Sequence, residues 1–313
     1  MRTVALGLPV AVVDVDEALS GDWQEHRDAV DVVRVQDPPR SQWAALAAAG
    51  FLPKPQVVNW RATTGSCEEE FLSGLARKDK QNIRIARRRA TASGLTFTVR
   101  GVDAGLMADF LPLYEAQVAR MMHGWFAATE HQERVLAEAE NYFAVCAWDG
   151  DVLVGASINH QSRERDEVRA RFSAVVADQR QASLARVMYL EVVRIARERG
   201  FAAVSLGSDP NLYGHLVKPG LFSFKSRLGF VPVPSHLVDP GSGSDQADRV
   251  VGFRAITDPS FVLTYARGAD GQPTRGSALA LDMYTSDPTP DLRPYTVDHL
   301  TGVRVHHLEG DPS

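Results

Sequence analysis

The run YFAVCAWDGDVLVGASINHQSRERDEVRARFSAVV, residues 142–176, decides the fold. It divides into three stretches rich in β-branched and aromatic residues, YFAVCAW, VLVGASINH and VRARFSAVV. Asp149 and Gly150 stand between the first two, and the polar QSRERDE separates the second from the third. That spacing predicts an antiparallel three-stranded meander. Upstream, LTFTVRG alternates as a strand, DAGLMADFLPLYEAQVARM reads as a helix capped by Asp103, and TEHQERVLAEAE reads as a second helix. Downstream, SLARVMYLEVVRIARERG is an amphipathic helix with Ser183 as cap and Gly200 as stop. FAAVSLG follows as a strand, LFSFKSRLG as a short helix, and FVPVPSHLV as an extended ending.

The flanks suggest further units. Residues 1–65 predict a small α/β subdomain, with strands near Val4–Val13, in VDVVRV and in VVNWRAT, and a helix in SQWAALAAAG between Ser41 as cap and Gly50 as stop. SCEEEFLSGLARKDKQNIRIARRRATASG then predicts one long or broken helix, opened by Ser66 and Glu69 in capping-box spacing and closed at Gly94. GSGSDQ, residues 241–246, reads as a linker. Beyond it, DRVVGFRAI, SFVLTYA and SALALDMYT read as strands returning to the N-terminal unit. The expected organisation is therefore 1–65, a core at 66–240 that begins with the basic helix, and C-terminal strands at 241–313.

Composition narrows the function. At 313 residues, 44% hydrophobic and 23% charged, the chain is that of an ordinary globular protein. A net charge of −5 excludes a basic coat, so any nucleic-acid contact must come from a local patch. Cys67 and Cys146 lack metal-type spacing, no histidine pattern suggests zinc, and no glycine-rich dinucleotide fingerprint follows a strand. TVALGLPVAVV runs into DVDEALSG without a cleavage-type site and reads as a buried strand. With no apolar run of membrane-spanning length, a cytoplasmic protein without a metal or membrane insertion is expected.

One basic patch stands out. Arg77, Lys78, Lys80, Arg84, Arg87, Arg88 and Arg89 crowd one helix, and at helical spacing Arg77, Lys80, Arg84 and Arg88 form a stripe opposite the apolar face. Such a stripe suits a phosphate backbone or an anionic substrate; a solvated face is the plain alternative. Further on, the loop SDPNLYGHLVKPG offers Asp209, Asn211, Tyr213, His215 and Lys218. Asp209 or His215 is placed to take a proton from an amine nucleophile, although Asp-Pro-Asn is also good turn chemistry. Arg169 and Arg171 share one side of VRARFSAVV, suited to an acidic acceptor or to pairing with Glu164 or Asp166.

The order strand, helix, helix, meander, helix, strand, helix, strand over residues 95–238 resembles the GNAT N-acyltransferase superfamily. The resemblance implies an α+β fold, a mixed and mostly antiparallel sheet flanked by helices, here with a smaller α/β subdomain. In GNAT enzymes an Arg/Gln-x-x-Gly-x-Gly/Ala turn holds the pyrophosphate of coenzyme A at a helix N-terminus. RQASLA at 180–185 matches at Arg180 and Ala185, but Ser183 replaces the first glycine. Two further phrases, RKDKQNIRIARRRATASGLTF and LFSFKSRLGF, resemble the Fem-type aminoacyltransferases, which use aminoacyl-tRNA. Residues 1–65 are shorter than the first domain of those enzymes.

That resemblance implies an amide-forming enzyme. Lys225 would be the catalytic cation that stabilises an oxyanion in the donor site, supported by Phe224, with Asp209 as the acid–base group. Arg180 and Ser183 would lie on the donor, and Arg77, Lys80, Arg84 and Arg88 on a tRNA acceptor stem. From their place on the loop and strand beside the presumed cleft, not from the resemblance, Asn211, Tyr213, Lys218, Arg169 and Arg171 are expected to hold a small-molecule or peptide amine acceptor. No tightly bound cofactor is implied; the co-substrate is aminoacyl-tRNA, with acyl-CoA as the alternative. A non-catalytic module that binds an anionic partner through the basic helix is the alternative from another class.

Overall fold

The structure, a computed structural model, describes residues 2–5, 7–178 and 183–308. Its strands are β1 (Arg2–Ala5), β2 (Leu8–Val13), β3 (Val32–Gln36), β4 (Leu52–Pro55), β5 (Val57–Thr63), β6 (Thr96–Gly101), β7 (Tyr142–Asp149), β8 (Val152–Ser162), β9 (Glu167–Val175), β10 (Ala203–Pro210), β11 (Val231–Pro234), β12 (Asp245–Val250), β13 (Ser260–Tyr265), β14 (Leu279–Thr285) and β15 (Leu300–His307). The α-helices are α1 (Val15–Ser20), α2 (Trp43–Ala48), α3 (Glu68–Ser73), α4 (Arg77–Ala92), α5 (Ala104–Val118), α6 (Ala127–Glu130), α7 (Gln132–Ala137), α8 (Leu184–Glu198) and α9 (Pro219–Ser226).

The chain forms two compact units. One comprises residues 60–207 and 227–230, and the other residues 1–59, 208–226 and 231–313. The boundary expected at residue 240 therefore moves: the segment from Ser208 to Ser226, with α9, belongs to the unit of the two chain ends.

In the first of these units the sheet order is β5-β10-β9-β8-β7-β6. The meander forms as its spacing predicts, β7 pairing antiparallel with β8 and β8 with β9. Its strands are near-continuous apolar runs because helices cover both faces. On one face α5 sets Leu106, Phe110 and Tyr114 against Cys146, Ile158 and Phe172. On the other, Val187 and Met188 of α8 and Ala86 and Ala90 of α4 cover Ala147, Val154 and Val175.

The basic segment is two helices, broken across Gly74–Ala76. The cap is Cys67, not Ser66: the Glu70 amide donates to Cys67 Sγ (3.4 Å), while Ser66 turns its own N–H and hydroxyl onto the Glu70 carboxylate (2.7 and 2.5 Å). The cap lies one residue beyond the expected position, and the Glu70 carboxylate is taken by Ser66 rather than by the cap residue's own N–H.

The second unit is built on the sheet β1-β2-β3-β12-β4. β12 inserts antiparallel to both β3 and β4, with Ala247 facing Val35 on one side and Pro53 on the other. The linker expected at 241–246 is thus partly strand: Asp245 and Gln246 begin β12, and Gln246 is buried. A three-stranded sheet, β13-β14-β15, completes the unit, antiparallel then parallel. One core gathers Trp23, Val33, Leu46, Phe51 and Ala247, and another gathers Leu52, Leu212, Val262 and Tyr284. Ser41 does not cap α2, since a 3-10 turn at Arg40–Gln42 precedes the helix and no side chain caps it.

Candidate active site

Among the described residues, parallel strands β9 and β10 pair at three positions: Ala203 with Glu167, Val204 with Val168 and Ser205 with Arg169. Beyond them the strands part. The cause on β10 is Gly207, whose left-handed φ of 77° turns the backbone while its N–H donates to Ser205 Oγ (3.0 Å). On β9 the ladder with β8 slips by one residue: Ile158 faces Phe172 and Asn159 faces Ala170, leaving Arg171 as the extra residue of a bulge. Part of the freed edge is closed by Gln117 of α5, which donates to the Ser173 carbonyl (3.1 Å) and accepts from the Val175 amide (3.2 Å). A notch opens from Arg169 and Ser205 onwards.

The two arginines beside it are held differently. The Arg169 guanidinium lies across Gly207, 3.8 Å from where a β-carbon would stand, and its side chain is exposed. Arg171 donates to the Tyr142 hydroxyl and stands 5.2 Å from the Phe172 ring centroid. The carboxylate paired on this strand is Glu167, with Arg61 at 2.7 Å. Burial raises the Glu167 carboxyl above the usual range, against the pull of Arg61 and Arg169.

α8 is the helix after β9, and Ser183 at its start stands where the GNAT resemblance puts the phosphate turn. Ser183 does not cap it: its φ of 63° is left-handed and its side chain makes no capping bond. The backbone has the conformation that glycine adopts freely, with serine in place. Arg180 lies outside the described residues.

On α4, Ile83, Ala86 and Ala90 are buried, while Arg77, Lys78, Arg84, Arg88 and Arg89 are exposed. Two cations of the segment, Lys80 of the stripe and Arg87 beside it, are engaged locally. Lys80 donates to the Ser73 carbonyl (3.1 Å), and Arg87 grips Glu68 through two bonds (2.5 and 3.1 Å).

Lys225 and Asp209 lie together in the second unit. α9 buries Phe222 against Tyr213 and Phe261, and the next turn carries Lys225 inward, leaving it 6% exposed. Its Nζ donates to both Asp209 oxygens, at 2.7 and 2.8 Å. Burial lowers the Lys225 pKa and Asp209 opposes that shift. Lys225 therefore does not snorkel: its buried ammonium is compensated by the Asp209 carboxylate. Phe224 is half-buried on the same helix.

Two expected acceptor contacts are corrected. Asn211 is a backbone staple: its amide donates to the Pro55 and Leu263 carbonyls and accepts from the Leu263 N–H, each at 2.7 Å. Tyr213 is fully buried, stacked on Phe261 at 4.7 Å, with its hydroxyl 3.4 Å from Asp209. Both are occupied in holding the loop, so neither is placed to receive an acceptor. Lys218 is exposed, and His215 is buried with Nδ1 donating to the Ala255 carbonyl (3.1 Å).

The model of the acetyltransferase (GNAT) domain family matches residues 77–214, somewhat under half of the chain, and includes the meander, the bulge and the notch. Residues 77–214 thus match a GNAT acetyltransferase domain. No curated protein matches the sequence. Among solved structures, FemX is similar at 12% identity, with 78% of this chain and 80% of that one covered and a TM-score of 0.47. The C-terminal domain of a putative lysylphosphatidylglycerol synthetase from Agrobacterium fabrum is similar at 14% identity, 80% and 79% coverage and a TM-score of 0.41. The ribosomal-protein-S18-alanine N-acetyltransferase from Escherichia coli is similar at 13% identity, 50% and 94% coverage and a TM-score of 0.34.

Around this GNAT domain, no cluster of histidine, cysteine or carboxylate side chains among the described residues can hold a metal ion. No described helix is long and apolar enough to cross a membrane. The bulge at Arg171, the role of Gln117 and the turn at Gly207 were not foreseen from sequence; Gly207, standing at the end of an apolar strand, was the signal available.

Proposed function

We propose that the protein forms an amide bond, transferring an aminoacyl group from aminoacyl-tRNA to the amine of a small molecule or peptide. The observation that carries acyl transfer is the unzipped edge of β9, where the ladder to β10 stops after Ser205 and the bulge falls at Arg171. An acyl group laid in that notch meets backbone polar groups that no longer serve a strand partner, a setting suited to the oxyanion of a tetrahedral intermediate. The exposed cations Arg77, Arg84 and Arg88 favour a polyanionic donor, because in a chain of net charge −5 they concentrate positive potential on one helix face. Asp209 and Lys225, held as a pair, act on protons rather than as a lone cation.

A second reading, an acyl-CoA donor, rests on Ser183. Its backbone keeps the left-handed turn of a glycine at the start of α8, which aims helix N–H groups outward for a pyrophosphate. A donor assay separates the two: purified protein with a pool of amine acceptors, given either tRNA charged with radiolabelled amino acids or a series of acyl-CoA thioesters. Label passing from tRNA to an amine is expected. Transfer only from thioesters selects the second reading, and transfer from neither refutes both.

A further inference from the structure

The second unit holds a pocket of about 230 Å³ with a cationic lining. Lys54, Arg34 and Gln246 form its floor, and Leu8, Pro210, Leu212 and Leu216 line its walls. Lys54 is 1% exposed, yet only two of its three ammonium N–H groups have protein partners among the described residues: Gln246 Oε1 at 3.0 Å and Asp248 Oδ2 at 3.2 Å. Arg34 spends Nε and Nη2 on the two oxygens of Asp248, at 2.7 and 2.8 Å, leaving Nη1 without a protein partner among the described residues.

The charge count decides the occupant. Two cations share one carboxylate, and Asp248 is the acidic group that bears on both, so the floor carries a net charge of +1. A buried cation left with spare donors is costly unless something compensates it. The walls are mainly apolar, with Gln56, Asn211 and His215 also on the lining, and the volume is below the roughly 300 Å³ at which drug-sized pockets begin.

We propose that this pocket binds the carboxylate of a small monoanionic molecule with a short apolar body, the carboxylate bridging Lys54 Nζ and Arg34 Nη1. A monoanion neutralises the floor; a phosphate dianion would leave one negative charge in excess, so the shared oxyanion chemistry resolves in favour of a carboxylate. The assignment is independent of the donor of acyl transfer.

Calorimetric titration of the full-length protein with 4-methylpentanoate, with its amide 4-methylpentanamide and with inorganic phosphate tests it. The carboxylate should bind at least tenfold more tightly than either of the others. Lys54→Met should weaken carboxylate binding at least tenfold while Arg34 still compensates Asp248, and Leu216→Trp, which touches no charge, should block it by filling the pocket. Circular dichroism checks that each variant is folded. Equal binding of acid and amide, tighter binding of phosphate, no carboxylate binding at millimolar concentration, or unchanged binding in folded variants would each overturn the proposal. If Lys54→Met does not fold, the amide comparison and Leu216→Trp decide.

Discussion

Replacing Lys225 by methionine separates a structural from a chemical role, provided the partner is changed too. The substitution keeps an apolar stem for the α9 packing but removes the charge that faces Asp209 at 2.7 and 2.8 Å. At an effective dielectric of about 20, the direct attraction at that range is about 6 kcal/mol, and leaving a buried charge unpaired costs about 3–5 kcal/mol. For a domain of this size, about 2–4 °C of melting temperature per kcal/mol gives a fall of about 6–20 °C. Asp209→Asn combined with Lys225→Met removes both charges, so most of that loss should return. Melting curves give the stability arm, and turnover per folded molecule gives the other. If the pair moves protons in catalysis, the double variant is folded but slowed on the order of a hundredfold. A folded double variant with wild-type turnover refutes the catalytic role, and a Lys225→Met protein as stable as the wild type refutes the energetics of the pair.

Two other outcomes follow from charge placement. Arg84→Ala with Arg88→Ala, both on the exposed face of α4, should weaken tRNA binding several-fold and flatten the slope of log affinity against log salt by about 2; an unchanged slope in filter binding means the stripe is merely solvated. Burial lowers the Lys54 pKa from 10.5 to about 8, so between those values the unfolded chain holds more protons than the folded one and stability should rise with pH. Denaturant midpoints from pH 8 to 10 should rise more in wild type than in Lys54→Met, and parallel curves would contradict a shifted lysine.

The sequence made the GNAT core legible because its cues are local. Asp149-Gly150 marks a tight turn, Gly200 ends α8, and the alternation of apolar and basic residues along α4 sorts itself onto two faces. Lys225 was singled out by its aromatic neighbours, but its carboxylate partner lies 16 residues away, and whether a lysine faces water or a carboxylate depends on that tertiary partner. The anion pocket was invisible for the same reason, magnified: Lys54 and Gln246 are 192 residues apart, and Arg34 and Asp248 are 214 apart. Reading GSGSDQ as a linker hid the start of β12, because glycine and serine punctuate a chain without saying where the following strand docks. Asn211 misled in another way: Asp-Pro-Asn is turn chemistry, and here its amide bonds to backbone from two other strands.

The insertion of β12 between β3 and β4 bears on how the chain is made. Residues 60–207 form an almost unbroken stretch and can collapse as soon as they leave the ribosome, whereas the sheet begun by β1–β4 waits for a strand encoded near residue 250. At roughly 5–20 residues per second, the 192 positions from Lys54 to Gln246 take about 10–40 s to synthesise. Throughout that interval β3 and β4 each lack the neighbour that will satisfy their amides and carbonyls, and such edges recruit strands from other chains. The nascent protein carries these open edges while residues 60–207 are already free to collapse, and translational pausing before Asp245 lengthens that exposure.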